Sequence, residues 1–296
     1  MKKVLVIIVT FNGLKWADKC FTSLRKSDFP VDVFVVDNGS SDGTPEYVRE
    51  HFPEVKLYCT GENYGFGKAN NIGLEYSLSE EYDYVYLLNQ DAWVQPDTVG
   101  CLIDAMEADP SYGILSPLQM TASMTAPDPR FAAKCLDRPV GTYLKGRIYD
   151  VSFVMAAHWL ISRRCVETVG GFSPAFRHYG EDDNYIHRAV YHGFKVGFAG
   201  GVHAVHDRDS RPQSRSSAMR LKCVASVVKV SSPLNCPAVR VFLQPVELLA
   251  ISILRRSKDV LSYIPVFVKS LPQLLRLRRE SMSKGAFLGG AMGKNQ

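Results

Sequence analysis

Apolar and polar residues fall in blocks along this chain. Val4–Val9 and Val31–Val36 are β-branched runs, and Tyr84–Leu88 is an unbroken apolar and aromatic one. Runs of this kind that stop abruptly at polar residues predict strands buried on both faces of a parallel sheet. Between the first two, Trp16, Cys20, Phe21 and Leu24 recur at helical spacing, so the opening segment reads as a βαβ unit. Val55–Cys59 offers a third strand. A helix from Pro96 carries Val99, Leu102, Ile103 and Met106 on one face, a second carries Tyr185, Ala189 and Val190 and stops at Gly193, and Lys195–Ala199 is a last strand. From Gly113 to Phe153 the periodicity fades among prolines 117, 127, 129 and 139, which predicts a long lid or binding loop; order returns at Val151–Ala157. The expected class is α/β, a mostly parallel central sheet with flanking helices.

Candidate chemistry sits where the strands end. In open α/β sheets ligands bind beyond the carboxyl ends of the strands, and here those ends read Thr10-Phe11-Asn12, Asp37-Asn38-Gly39-Ser40 and Asn89-Gln90-Asp91. A carboxylate at Asp91 would repel a diphosphate unless a divalent cation lay between them, since Mg²⁺ is typically held by one or two carboxylates plus phosphate oxygens. The alternative is that Asp91 caps the helix starting near Pro96. Asp37 suits either a ribose or base, or the amides of its own loop in an Asx-turn. Thr44 followed by Pro45 reads as N-cap and first helical residue.

Gly65 and Gly67, opening a helix, resemble a phosphate-cradling turn, but neither a P-loop nor a full dinucleotide fingerprint is present, which counts against nicotinamide or flavin chemistry. Glu181, Asp182 and Asp183 start a helix, where their charge suits the dipole. His203 and His206 fall on different faces of any strand, so one of them at most serves a given metal.

Composition narrows the setting. The chain has 296 residues, 46% hydrophobic and 22% charged, enough for one large or two modest folded units. Seven scattered cysteines with no C-x-x-C pair imply reduced thiols rather than a disulfide framework or zinc site. The lysines at 2 and 3 before Val4–Val9 resemble a signal peptide, but the run stops at Thr10-Phe11-Asn12-Gly13 without a small-residue cleavage site, so a buried first strand is expected.

Charge is unevenly distributed. Residues 1–206 hold 19 basic and 25 acidic side chains (net −6), whereas residues 207–296 hold 16 and 5 (net +11). Prolines 233, 237, 245, 265 and 272 are expected to break the Leu-rich segments there, leaving no apolar run near the roughly 18–20 residues of a bilayer span. Short basic amphipathic helices, such as one with Val246, Leu249, Ala250 and Ile253 on one face, suit an anionic membrane surface. Alternatively they pack on the rest of the chain with their basic faces in solvent. Nucleic acid is not the expected partner, because the cations are interleaved with Leu and Val rather than aromatics.

Seven motifs in order, Val-Thr-Phe-Asn at 9–12, Val-Asp-Asn-Gly-Ser-Ser-Asp-Gly at 36–43, Asn-Tyr-Gly-Phe-Gly at 63–67, Leu-Asn-Gln-Asp at 88–91, Gly-Gly-Phe at 170–172, Gly-Glu-Asp at 180–182 and the late His206, resemble family 2 glycosyltransferases, nearest their rhamnosyltransferase-like branch. The resemblance covers about two-thirds of the chain, residues 4–207. It implies the GT-A fold over residues 1–206, with 1–112 binding the nucleotide sugar and 113–206 the acceptor, ahead of a basic, Leu-rich helical region at 207–296. It also implies inverting transfer from a nucleotide-diphosphate sugar to a glycan; the reduced cysteines and the basic tail add the expectation of a cytoplasmic protein peripheral on the plasma membrane, with a lipid-linked glycan as a fitting acceptor.

By position, Thr10, Asn12 and Asp37 would hold the nucleoside and Asn63, Gly65, Gly67 and Asn89 would line its pocket. Asp91 and His206 would bind Mg²⁺ or Mn²⁺, and Asp182 would be the general base. Two departures stand out. Asn89 replaces the first acid of the common Asp-x-Asp, and Asn184 the last acid of Glu-Asp-x-Asp. The rival readings are a sugar-nucleotide nucleotidyltransferase, which should carry a basic glycine-rich loop where Thr10–Leu14 has no charge, and a non-catalytic nucleotide-sugar-binding subunit, which nothing in Asp91, Asp182 or His206 requires.

Overall fold

The computed structural model describes residues 2–208, 217–254 and 256–289. Among these, nine strands form one sheet: β1 (Val4–Thr10), β2 (Asp32–Asp37), β3 (Lys56–Cys59), β4 (Tyr84–Asn89), β5 (Ala92–Val94), β6 (Tyr112–Met120), β7 (Ile148–Asp150), β8 (His158–Ser162) and β9 (Lys195–His206). Their order is β3-β2-β1-β4-β8-β6-β9-β5, with β7 also on β9. Strands β1 to β4, β6 and β9 run one way, and β5, β7 and β8 run against them.

The helices are α1 (Leu14–Arg25), α2 (Thr44–His51), α3 (Phe66–Ser79), α4 (Thr98–Ala108), α5 (Pro129–Cys135), α6 (Arg163–Val169), α7 (Glu181–Tyr191), α8 (Ser217–Ser231), α9 (Pro237–Leu254) and α10 (Lys258–Glu280). Successive strand side chains face opposite ways, which explains the unbroken apolar runs. Leu5, Ile7, Val85 and Leu87 join the core under α3, α6 and α7, while Val4, Val6, Ile8, Tyr84, Tyr86 and Leu88 join the one under α1, α2 and α4. A third apolar cluster, with Val230, Leu248, Phe267 and Leu271, ties α8, α9 and α10 together.

Four expectations are corrected. Residues 113–153 are not one long loop, because β6 is a fully buried strand beside β8 and β9. It reads poorly in sequence because Pro117 interrupts it; the ladder tolerates that proline at a register shift between Pro117 and Leu118. Val151–Ala157 is irregular, and the ordered strand follows it as β8. The N-cap of α2 is Gly43 in the left-handed region, while the Thr44 hydroxyl receives the Gly13 N–H at 3.0 Å. Pro245 lies inside α9, and Pro265 and Pro272 inside α10. Continuous α9 is therefore long and apolar enough, by length and composition, to cross a membrane, contrary to the short amphipathic segments expected.

Residues 285–289 return to α3 and α6. Gly171 N–H donates to Ala286 O at 2.8 Å, Gly285 N–H to Thr168 O at 3.0 Å and Gly289 N–H to Glu75 Oε1 at 2.8 Å. Gly170 has φ +85°, ψ −150°, and a Cβ there would lie 1.9 Å from Ala286 O. Only glycine adopts that backbone readily, at a cost of about 1–3 kcal/mol for other residues. Gly170→Ala should therefore lower the unfolding free energy by at least about 2 kcal/mol, measured by urea denaturation.

Candidate active site

The sheet order sets the carboxyl ends of β2, β1 and β4 side by side. Asp37 is buried, and its carboxylate accepts from Thr10 Oγ1 at 2.8 Å, Ser40 Oγ at 2.5 Å and Ser40 N–H at 3.0 Å. The carboxylate thus binds an amide of its own loop three residues on, rather than the two of an Asx-turn, and it fixes the β2 loop to the end of β1. Asn12, with φ +50°, receives Ser41 N–H on Oδ1 at 2.8 Å and donates its own N–H to Ser40 Oγ at 2.9 Å. Gln90 clamps the same loop to β4, accepting Phe11 N–H at 2.8 Å. Asn63 Oδ1 accepts from Asn38 Nδ2 at 3.1 Å and Gly65 N–H at 2.9 Å, so the loop before α3 joins this corner. Gly65 and Gly67 are needed for close approach: a Cβ would lie 2.4 Å from Arg177 O at the first and 2.9 Å from Phe172 at the second. The start of α3 is covered by that segment.

Asp91 follows β4 and does not cap α4, whose N-cap is Asp97. Antiparallel pairing of β5 with β9 sets Ala92 opposite His206. The result is a buried pair, His206 Nε2 at 3.7 Å from Asp91 Oδ1. Gln119 Nε2 donates to Ser116 Oγ and to Met155 O, both at 3.2 Å, which turns its Oε1 toward His206 Nδ1 at 3.4 Å. An amide oxygen only accepts, so this contact calls for a proton on Nδ1. His203 instead contributes only its carbonyl, to Thr98 Oγ1.

An oxygen and an imidazole nitrogen at this separation can share one cation. Among the described residues no group of three or more His, Cys, Asp or Glu is placed to hold a metal. The pair therefore fits a cation that takes its remaining ligands from phosphate and water, the habit of Mg²⁺. Next to it, Asp207 N–H donates to Asp91 O at 2.8 Å, Asp207 Oδ2 accepts from Trp16 Nε1 at 3.2 Å, and Arg208 Nε pairs with the buried Asp128 at 2.8 Å.

Gly180, in the left-handed region, is the N-cap of α7, whose first turn carries Glu181, Asp182 and Asp183. The Asp182 carboxyl is raised above its ordinary range by burial, against the opposing backbone N–H groups of Asp183, Asp182 and Ala156 and the nearby Arg208 guanidinium. Arg208 thus acts on Asp182 while its guanidinium pairs with Asp128. Burial, then the Asp182 charge, pushes Glu181 and Asp183 each up to about 7. A carboxyl that keeps its proton in the folded state after the unfolded chain has lost it makes stability fall as pH rises from about 4.5 through about 7. Glu181→Gln should remove part of that fall and stabilise the protein at pH 8 by on the order of 1–3 kcal/mol, read from melts across pH. Asn184 points away: its Nδ2 donates to Ser231 Oγ on α8.

A sequence profile of glycosyl transferase family 2 matches residues 5–169. The chain belongs to that family. Its sequence is 33% identical over 122 residues to the N-acetylglucosaminyl-diphospho-decaprenol L-rhamnosyltransferase of Mycobacterium tuberculosis, covering 38% of this chain and 40% of that protein. The match thus spans about two-fifths of that relative's length. Among solved structures, Staphylococcus aureus TarS (residues 1–349) in complex with UDP superposes with a TM-score of 0.58 at 17% identity, covering 95% of this chain and 88% of that one. A mannosyltransferase from Pyrobaculum calidifontis in complex with GDP-Man and Mn²⁺ gives 0.56 at 18% identity, over 95% and 86%. The fold is GT-A.

For this family 2 chain, sequence reasoning missed Gln119, Asp128, Asp207 and Arg208. Gln119 lay in the stretch read as a loop, although Tyr112–Leu118 is largely apolar. Asp207 and Arg208 directly follow His206 and could have been found as a polar stop after the last apolar run.

Proposed function

We propose that the protein is an inverting glycosyltransferase. It moves a sugar, with rhamnose the first to test, from a nucleotide-diphosphate donor to a glycan or lipid-linked glycan acceptor in cell-surface polysaccharide biosynthesis. The observation that carries this reading is the buried Asp91–His206 pair at 3.7 Å. Thr10, Asn12, Asp37, Asn63, Gly65, Gly67 and Asn89 form the nucleoside side of the pocket, in residues 1–112, and residues 113–206 serve the acceptor.

Asp91 and His206 would hold Mg²⁺ or Mn²⁺, with Gln119 orienting the imidazole. A divalent cation bound there supplies charge neutralisation for the departing diphosphate. Asp182 accepts the acceptor hydroxyl's proton as that oxygen attacks the anomeric carbon from the face opposite the leaving group. Burial suits it to the task, since it raises the basicity of the carboxylate. The backbone donors and Arg208 keep enough of it ionised to act. Residues 207–296 hold the protein peripherally on the cytosolic face of an anionic membrane, where a lipid-linked acceptor resides.

The test is a panel of nucleotide sugars screened by thermal shift with and without Mn²⁺. A Mn²⁺-dependent rise in melting temperature with at least one nucleotide-diphosphate sugar is expected. No rise with any member, or one with nucleoside triphosphates alone, would overturn the assignment.

A further inference from the structure

Helix α9 carries a face that the rest of the chain does not cover. Gln244, Leu248 and Ser252, four residues apart, are its buried positions, and they hold it in the three-helix cluster. Away from them lies a stripe of Val239, Phe242, Val246, Leu249 and Ile253, with Phe242 75% and Ile253 68% exposed. The spacing of three and four keeps these five side chains on one side of the helix. On the helix's flank Glu247 pairs with Lys229 of α8 at 2.6 Å and with Arg240 at 3.9 Å.

We infer that this stripe is a membrane-inserting ridge and that α9 lies in the plane of an anionic phospholipid bilayer. This rests on the proposed membrane-surface role and specifies the face that performs it. A spanning α9 is disfavoured, because it would have to leave α8 and α10 and carry Arg240, Gln244 and Glu247 into hydrocarbon. Lying flat, it keeps those groups against the protein and immerses only the apolar stripe, as interfacial helices do.

Charge decides the occupant. The neighbouring α10 exposes Lys258, Lys269, Arg276 and Arg279 against Asp259 and Glu280, so a second copy docked on the same face would set two basic surfaces against each other. An anionic lipid surface is complementary instead. Beside the stripe, an open apolar cavity of about 280 Å³ is lined by Phe242, Val241, Leu275, Arg278 and Arg279. Arg278 spends its guanidinium on the carbonyls of Ser232, Pro233 and Asn235. Arg279 is exposed at the rim, where a cation meets lipid phosphate while Phe242 enters the acyl layer.

The experiment is flotation of the full chain with phosphatidylglycerol/phosphatidylcholine vesicles and with phosphatidylcholine alone, for wild type, Phe242→Ser/Ile253→Ser and Arg279→Gln. Wild type should float with the anionic vesicles and not with the neutral ones. The double variant should lose at least tenfold in partitioning, with an unchanged melting temperature because both residues are exposed. Arg279→Gln should bind less and show a shallower salt dependence. Equal flotation of wild type and double variant would overturn the inference. So would a lipid-free dimer of wild type that the double variant abolishes, since the stripe would then bind a second copy. Nucleotide-sugar thermal shift on the same variants separates the claims: equal flotation of all forms with an intact shift overturns the ridge and leaves the donor site standing, and the expected loss of flotation with no shift in any form overturns the donor site alone.

Discussion

Asp182→Asn should slow sugar transfer by about 10²–10⁴-fold, the usual contribution of a positioned general base, while donor affinity stays nearly unchanged. The amide keeps the shape and an oxygen for the Asp183 N–H, which sits 3.0 Å from Asp182 Oδ1, but it cannot take a proton. Asp183→Asn should do far less, because consecutive helical residues point about 100° apart. It removes a neighbour whose own carboxyl is pushed up to about 7 by burial and by Asp182. That neighbour still holds its proton when Asp182 ionises, so Asp183→Asn should leave the acidic limb of the kcat profile nearly where it is, with only a modest change in its plateau. Should Asp183→Asn prove the more damaging variant, or should Asp182→Asn lose donor binding in proportion to activity, the base lies elsewhere on α7.

Asp91→Asn should abolish the Mn²⁺-dependent part of donor binding, a loss beyond the roughly 10–100-fold typical of changing a group behind a metal ligand. Asp91 is buried, so a near-isosteric replacement is the informative one. Its anchoring to Asp207 runs through its backbone carbonyl and survives the substitution. His206→Gln should act in the same direction, and Gln119→Ala should fall within the 10–100-fold range because it only frees the imidazole to turn. Calorimetric titration of a nucleoside diphosphate at several Mn²⁺ concentrations reads all three. Wild-type affinity for Asp91→Asn at saturating Mn²⁺ would exclude this carboxylate as a ligand.

The parts of this molecule that were legible in its sequence are those where one physical demand acts alone. Strands β1, β2 and β4 are buried on both faces, so nothing but apolar side chains suits their interiors. Strand β6 serves two demands, since it fills the core with Ile114, Leu115 and Leu118 yet delivers Gln119 to His206, and its Ser116, Pro117 and Gln119 disguise the run. The pairing of Asp91 with His206 depends on the β5–β9 register and lies beyond any local spacing rule. Motif order nevertheless named both residues. Asn184, a departure from the family pattern, is explained by its contact with α8. Helix α9 was hidden by Pro245, which ordinarily costs a helix one hydrogen bond; burial of Leu248 and Ser252 on either turn beyond it holds the helix continuous.

The most direct measurement uses the full chain, Mn²⁺, the nucleotide sugar selected by thermal shift and a lipid-linked glycan acceptor, with the product followed by NMR at its anomeric centre. Nucleoside diphosphate should be released only when acceptor is present, and the new glycosidic bond should have the anomeric configuration opposite to the donor's. A product that retains the donor's configuration would contradict a single displacement assisted by Asp182.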